Sequence, residues 1–209
     1  MKISRFLLVV TLALGSVAQA ADPMPAATAP KIAYGQMMKQ GDKLIFAPCR
    51  DRSYAMVEDI SPGRTVTRAL DEVRLGAGKK VYVELVGMVE GGMLKASAVN
   101  LARTEGRCQL PGGKDETWRA AGNEPGWALA VGAEVVVVKR FGEPDIHVPA
   151  GPVAIADGVA RFEAKTEATR LAFRFEQKLC RDTMADAVFG WTASVEVNGK
   201  TLKGCAWQR

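Results

Sequence analysis

From Ile32 onward the chain alternates apolar and polar residues in short runs broken by Gly, Pro, Asn and Asp, the pattern of strands with a buried face. KLIFAPC, RSYAMVED, KKVYVELVGMVEGG and MLKASAVNLAR read as strands, bracketing one helical patch, TVTRALDEVRLG, that Ser61-Pro62 and Gly76 bound. In VYVELVGMV, Val81, Val83, Leu85, Gly87 and Val89 share one face and Tyr82, Glu84, Val86 and Met88 the other, so both faces are expected to be partly buried. Gly91-Gly92 then turns the chain into the next strand. A helix between the third and fourth of about five strands is the layout of an OB-type barrel. Beyond Trp118, WALAV, AEVVVVKRF, VARFEAK, TRLAFRFEQKL, VFGWTASVEV and TLKGCAW alternate and are separated by turn residues, which predicts an all-β antiparallel barrel or sandwich. Near its end Trp191, Ala193, Val195 and Val197 alternate with Thr192, Ser194 and Glu196, and Asn198-Gly199 follows as a strong hairpin turn. This places Cys205 on the returning strand and Cys180 at the end of the preceding one, whose inward set is Leu171, Phe173 and Phe175.

The expected fold class is therefore mainly β: two small antiparallel domains, an OB-like barrel followed by a disulfide-stapled barrel or sandwich. Residues 1–20, MKISRFLLVVTLALGSVAQA, carry Lys2 and Arg5, an apolar run from Phe6 to Leu14 and an Ala18-Gln19-Ala20 site, the features of a secretory signal cleaved after Ala20. That run is too short to span a bilayer, and no membrane span is expected. Residues 21–31, rich in Ala and Pro, read as a disordered leader. The OB-like domain then covers 32–108, a Pro/Gly/charged linker 109–117, and the all-β domain 118–209. The bacterial character of the signal points to the periplasm, with full secretion left open.

Compartment decides how the four cysteines read. An oxidising periplasm favours disulfides, and four cysteines permit three connectivities; pairing within each half, Cys49 with Cys108 and Cys180 with Cys205, is the simplest. A reactive Cys180 would need an activating base, and the one histidine of the sequence is His147. Asp145 and His147 share one side of a strand, a spacing that starts a metal site, yet no further His or spare Cys completes a zinc set. No metal and no cofactor are expected. The net charge of +5 includes the two cations of the signal, and the basic residues are scattered rather than interleaved with aromatics, so nucleic acid is set aside as a partner. No phosphate loop, G-x-S-x-G elbow or H-E-x-x-H occurs.

Two resemblances bear on place. GQMMKQGDKLIFAPCRDRSYAM and the VYVELVGMV strand resemble, through Gly35, Phe46, Cys49 and Tyr54, the small OB-like domain of NlpE-type envelope lipoproteins, over residues 35–108. The lipid-anchor cysteine and the CxxC-bearing domain of those proteins are missing, so copper or stress signalling does not carry over. Trp118, Gly122, Asn123, Glu124, Pro125 and Trp127, with Cys180, Asp182, Met184, Gly204, Cys205 and Ala206, resemble an uncharacterised bacterial envelope domain that recurs in secreted proteins and lipoproteins, sometimes beside lysozyme-inhibitor or OB-like modules. That likeness implies an exported place and no mechanism.

Gly122-Asn123-Glu124-Pro125 reads as a structural corner, since turn chemistry alone explains those residues. The sharper reading makes Asn123, Glu124, Trp127, Arg181 and Asp182 a polar cluster near an open barrel end that holds a ligand or partner. With no catalytic set assembled, the expected function is a non-catalytic periplasmic binding or interaction module whose partner is an unknown envelope protein or glycan. The alternatives are an inhibitor of a cell-wall lytic enzyme and a hydrolase with a dispersed carboxylate site.

Overall fold

The computed structural model describes residues 29–108 and 115–209. The expected signal sequence, most of the expected leader and residues 109–114 of the expected linker lie outside the described residues.

Five strands, β1 (Lys31–Gln40), β2 (Lys43–Pro48), β3 (Ala55–Asp59), β4 (Lys80–Glu90) and β5 (Met93–Arg103), close into a barrel, with α1 (Thr65–Glu72) between β3 and β4. Antiparallel pairs join β1 to β2 and β4, β2 to β3, and β4 to β5, and a parallel β3–β5 pair seals the ring. This is the OB layout the sequence predicts. Gly91 and Gly92, both at positive φ, make the two-residue turn from Glu90 to Met93. Val66, Ala69 and Leu70 of α1 pack onto the barrel core with Met37, Phe46, Val81, Val83, Leu85 and Leu94. The Asp59 carboxylate, at the end of β3, accepts hydrogen bonds from Ser61 N at 2.9 Å, Thr67 N at 2.8 Å and Thr67 Oγ1 at 2.7 Å. These bonds hold the first turn of α1, whose leading N–H groups lack partners within the helix. The helix thus closes the barrel end at which β3 finishes. The other end, where β3 and β5 begin, carries the β2–β3 loop and the β4–β5 turn.

The second half forms β6 (Trp118–Asn123), β7 (Gly126–Val131), β8 (Val135–Arg140), β9 (Ile146–Pro149), β10 (Ala154–Ala156), β11 (Val159–Lys165), β12 (Arg170–Glu176), β13 (Cys180–Asp182), β14 (Ala187–Phe189), β15 (Trp191–Val197) and β16 (Lys200–Gln208). Nine of these make a curled sheet in the order β10-β11-β12-β15-β16-β6-β7-β8-β9. Its inward positions gather Trp118, Trp127, Phe162, Phe173, Phe175 and Trp191 into one core. Asn198 and Gly199, at φ of 50° and 82°, form the β15–β16 hairpin turn as predicted.

Two strands leave that sheet. The β13–β14 hairpin pairs with β5, Ala187 opposite Arg103 and Phe189 opposite Leu101, and so extends the barrel's sheet. Gly190 is the crossing point between the sheets: its N–H donates to Asn100 O at 3.0 Å, and a Cβ there would fall 1.9 Å from Val99 O. The expectation that Cys180 ends the strand carrying Leu171, Phe173 and Phe175 is corrected here. That strand, β12, ends at Glu176, because Leu179 leaves to pack against the barrel core and takes the chain to the other sheet. Both disulfides form as paired from sequence, Cys49 with Cys108 and Cys180 with Cys205, at Cα separations of 5.0 and 5.4 Å. The second therefore fastens β13, on the barrel's sheet, to β16 of the curled sheet. Around it Tyr82, Leu101, Ala187, Phe189 and Cys205 make a buried seam between the halves, with Trp207 packed against it.

Candidate functional site: the wall and mouth of the barrel

The residues singled out from the sequence meet at a corner of the curled sheet, and the structure gives most of them structural work. Trp127 is buried and its Nε1 donates to Lys203 O at 3.0 Å. A Cβ on Gly122 would fall 2.3 Å from that Nε1, and one on Gly204 2.9 Å from Trp127 Cζ2, so both glycines leave room for the indole. Asp182 Oδ1 accepts from Asn123 Nδ2 at 2.9 Å, Met184 N at 2.9 Å and Ala185 N at 3.1 Å, which joins the β6–β7 turn to the β13–β14 hairpin. Glu124, joined to Pro125 by a cis peptide, and Arg181 are exposed. The structure therefore brings Asn123 and Asp182 together and commits Trp127 to packing. Cys180 and Cys205 are bridged, so no thiolate is offered beside Arg181 and Asp182. Asp145 pairs with Lys139 at 3.3 Å, and among the described residues no three His, Cys, Asp or Glu side chains group to hold a metal ion.

The strongest buried polar feature escaped sequence reasoning. Glu84, 1% exposed on the outer side of β4, accepts from Tyr82 OH at 3.0 Å and from Asn100 Nδ2 at 2.7 Å. Asn100 in turn donates to Gln208 O at 2.9 Å and accepts from Gln208 N at 2.8 Å. Burial raises the Glu84 pKa above the ordinary carboxylate range, against the lowering influence of the Asn100 and Tyr82 hydrogen bonds and of Arg209 and Arg103. The Tyr34 hydroxyl, opposite Glu84 in the β1–β4 register, is raised as well, by burial first and by Glu84 second. The signal was present in VYVELVGMV, where a carboxylate stands mid-strand with apolar residues on both sides. The network ties the barrel wall to the end of β16 and lies closed within the seam, which gives it a positioning role.

The open surface lies elsewhere. On β1–β3, Met37, Leu44, Phe46, Ala55 and Val57 point inward, so Met38, Ile45 and Met56 point outward, where a solvated strand face would carry polar side chains. The pairing places them in one row with Lys80, which opposes Met38; Met38 opposes Ile45, and Ile45 opposes Met56. Strands spaced about 4.8 Å apart make this row roughly 14 Å long, with a cation at one end. A cleft of about 350 Å³ covers the Lys80–Met38–Ile45 part of the row, lined also by Tyr54, Lys39 and Lys79. Tyr54, 69% exposed, also lines a second cleft of about 530 Å³ at the barrel mouth opposite α1. There Ile32, Phe46, Leu94 and Val89 give apolar walls and Arg50 a cation at the rim. The β2–β3 loop that shapes the mouth is anchored at one side by the Cys49–Cys108 bridge and internally by Asp51, which accepts from both the N–H and the hydroxyl of Ser53.

Comparison of the chain with protein-family models, with curated proteins and with solved structures finds no match.

Proposed function

We propose that this protein is an exported, non-catalytic binding module of the bacterial envelope, released to the periplasm by cleavage after Ala20, and that the barrel's outer wall and mouth take its ligand. The observation that carries the reading is the outward row Met38–Ile45–Met56, continuous through Tyr54 with an apolar mouth. Concave, largely apolar sites with a few placed polar groups are where ligands bind, and the face formed by strands 2 and 3 is the usual ligand side of an OB barrel. Two disulfides fit an oxidising compartment. Two carboxylates of the barrel bear on the hydrolase alternative. Glu84, whose pKa is raised, is closed within the seam, and Asp51, the carboxylate at the mouth, is held below its ordinary range by Ser53. Neither is poised as a general acid facing a cleft.

The test is an amide chemical-shift map of the mature protein titrated with size-fractionated periplasmic extract. Perturbations at Arg50–Met56 and Val89–Leu94, lost in Tyr54→Asp and Val89→Asp, support the reading. Perturbations confined to the curled sheet, or chemical conversion of the bound compound, overturn it.

One observation favours inhibition of a lytic enzyme as a second reading. Phe141, 94% exposed, tips the β8–β9 turn, which is fixed by Phe141 N donating to Gly126 O at 3.0 Å and by the Arg140–Glu143 ion pair. A rigid turn with a projecting aromatic suits insertion into a partner's cleft. Phe141→Ala abolishing inhibition of a lysozyme, with the barrel variants inert, would transfer the function to this turn.

A further inference from the structure

We infer that the ligand of the barrel face is a single-chain anionic amphiphile, an alkyl or acyl chain bearing a phosphate-type head; the inference rests on the binding reading given above and names the ligand class of the same site. Three features set the chemistry. First, the wall is built of Met38, Ile45 and Met56, unbranched thioethers and one aliphatic, which adapt to a flexible apolar chain. Tyr54 is the single aromatic of this wall, whereas faces that bind nucleic-acid strands rely on several stacking platforms. Second, the cations gather at one end of the row. Lys39, Lys79 and Lys80 line the outer cleft, and none of them forms an ion pair among the described residues. Lysine ammonium groups act as point charges and bind phosphate without needing a bidentate geometry. Third, neighbouring acids are engaged elsewhere or stand apart from the row. Asp51 is satisfied by Ser53, and Glu58, two residues past Met56, adds its field to the Glu90–Lys95 pair. Asp42 sits in the β1–β2 turn beyond the lysine end. Three lysines thus stand at one end of the apolar row, whereas at the mouth the single cation Arg50 stands beside the carboxylate of Asp51, which places the head at Lys79 and Lys80 and the tail over Tyr54 toward the mouth.

The experiment uses the mature chain and three probes below their micelle points: dodecyl phosphate, dodecyl maltoside with the same chain and a neutral head, and inorganic phosphate without a chain. Dodecyl phosphate is expected to bind with amide shifts along Met38, Ile45, Met56 and Tyr54, and roughly tenfold more tightly than the maltoside. The Lys79→Glu/Lys80→Glu double variant should weaken dodecyl phosphate by roughly tenfold and leave the maltoside unchanged, while Tyr54→Asp weakens both. All three positions are exposed, and unchanged thermal unfolding of each variant confirms its fold. Equal binding of both detergents, insensitivity to the charge reversal, or inorganic phosphate binding as well as dodecyl phosphate would overturn the anionic-amphiphile inference and leave the face a binding site. A self-associating protein whose dimer buries Tyr54 and Met56 and excludes the probes would overturn it too. Absence of shifts on this face with the probes and with envelope extract alike would remove both readings.

Discussion

Removing the Cys180–Cys205 bridge by Cys180→Ser with Cys205→Ala is expected to lower stability by about 3.5 kcal/mol, the chain-entropy figure for a loop of 25 residues. At roughly 2–4 °C per kcal/mol for a chain of this size, the melting temperature should fall by roughly 7–14 °C. The same treatment gives about 4.2 kcal/mol for Cys49–Cys108, which closes 59 residues. The two bridges differ in where they act. Cys180–Cys205 fastens β13 to β16, so its loss leaves the hairpin held by the short β14–β5 register and by contacts such as Phe189 on Trp207, whose ring centroids lie 4.9 Å apart. Thermal unfolding followed by circular dichroism gives the magnitude, and amide exchange gives the place: Arg181–Phe189 should lose protection before β1–β5. A loss below about 1 kcal/mol with unchanged exchange in the hairpin would show that strand pairing alone holds it, and the inter-sheet role of the bridge would be wrong.

Two further predictions concern the seam. Because the folded Glu84 binds its proton more tightly than the unfolded chain does, its contribution makes stability fall as pH rises from the ordinary glutamate range through the raised folded value. Glu84→Gln should flatten that fall, whereas Glu84→Ala, which strips acceptors from Asn100 and Tyr82, should cost about 2–4 kcal/mol; urea unfolding across pH checks both, and an unaltered pH slope in Glu84→Gln contradicts the assignment. Gly190→Ala forces a methyl against Val99 O and should cost about 3 kcal/mol or more, and unaltered urea unfolding would mean that the crossing tolerates a side chain.

Much of the architecture was legible because it rests on local signals. The period-two alternation of β15, the Gly91-Gly92 and Asn198-Gly199 turns and the helix between β3 and β4 each state their geometry in a few residues. At Gly35 a Cβ would fall 2.4 Å from Ala47 O and from the Phe46 ring, so the glycine is a packing requirement of the barrel. The departure of β13 and β14 to the other sheet was not legible, because strands of three residues carry too little pattern to choose a partner and the choice is made by Leu179, Val188 and Phe189 finding apolar surface on the barrel. The candidate site was hidden for a related reason. Met38, Ile45 and Met56 lie on three different strands, and only register makes them a row. The corner around Asn123, Glu124 and Trp127 stood out in sequence because a turn, an indole and two glycines must meet there.

The most direct test of the barrel face as the ligand site is native mass spectrometry of the protein purified from the periplasm without detergent. The account predicts a retained small-molecule adduct on the wild-type protein that is absent from Tyr54→Asp and Val89→Asp purified in the same way. A wild-type protein free of any adduct, or an adduct kept equally by both variants, would contradict it.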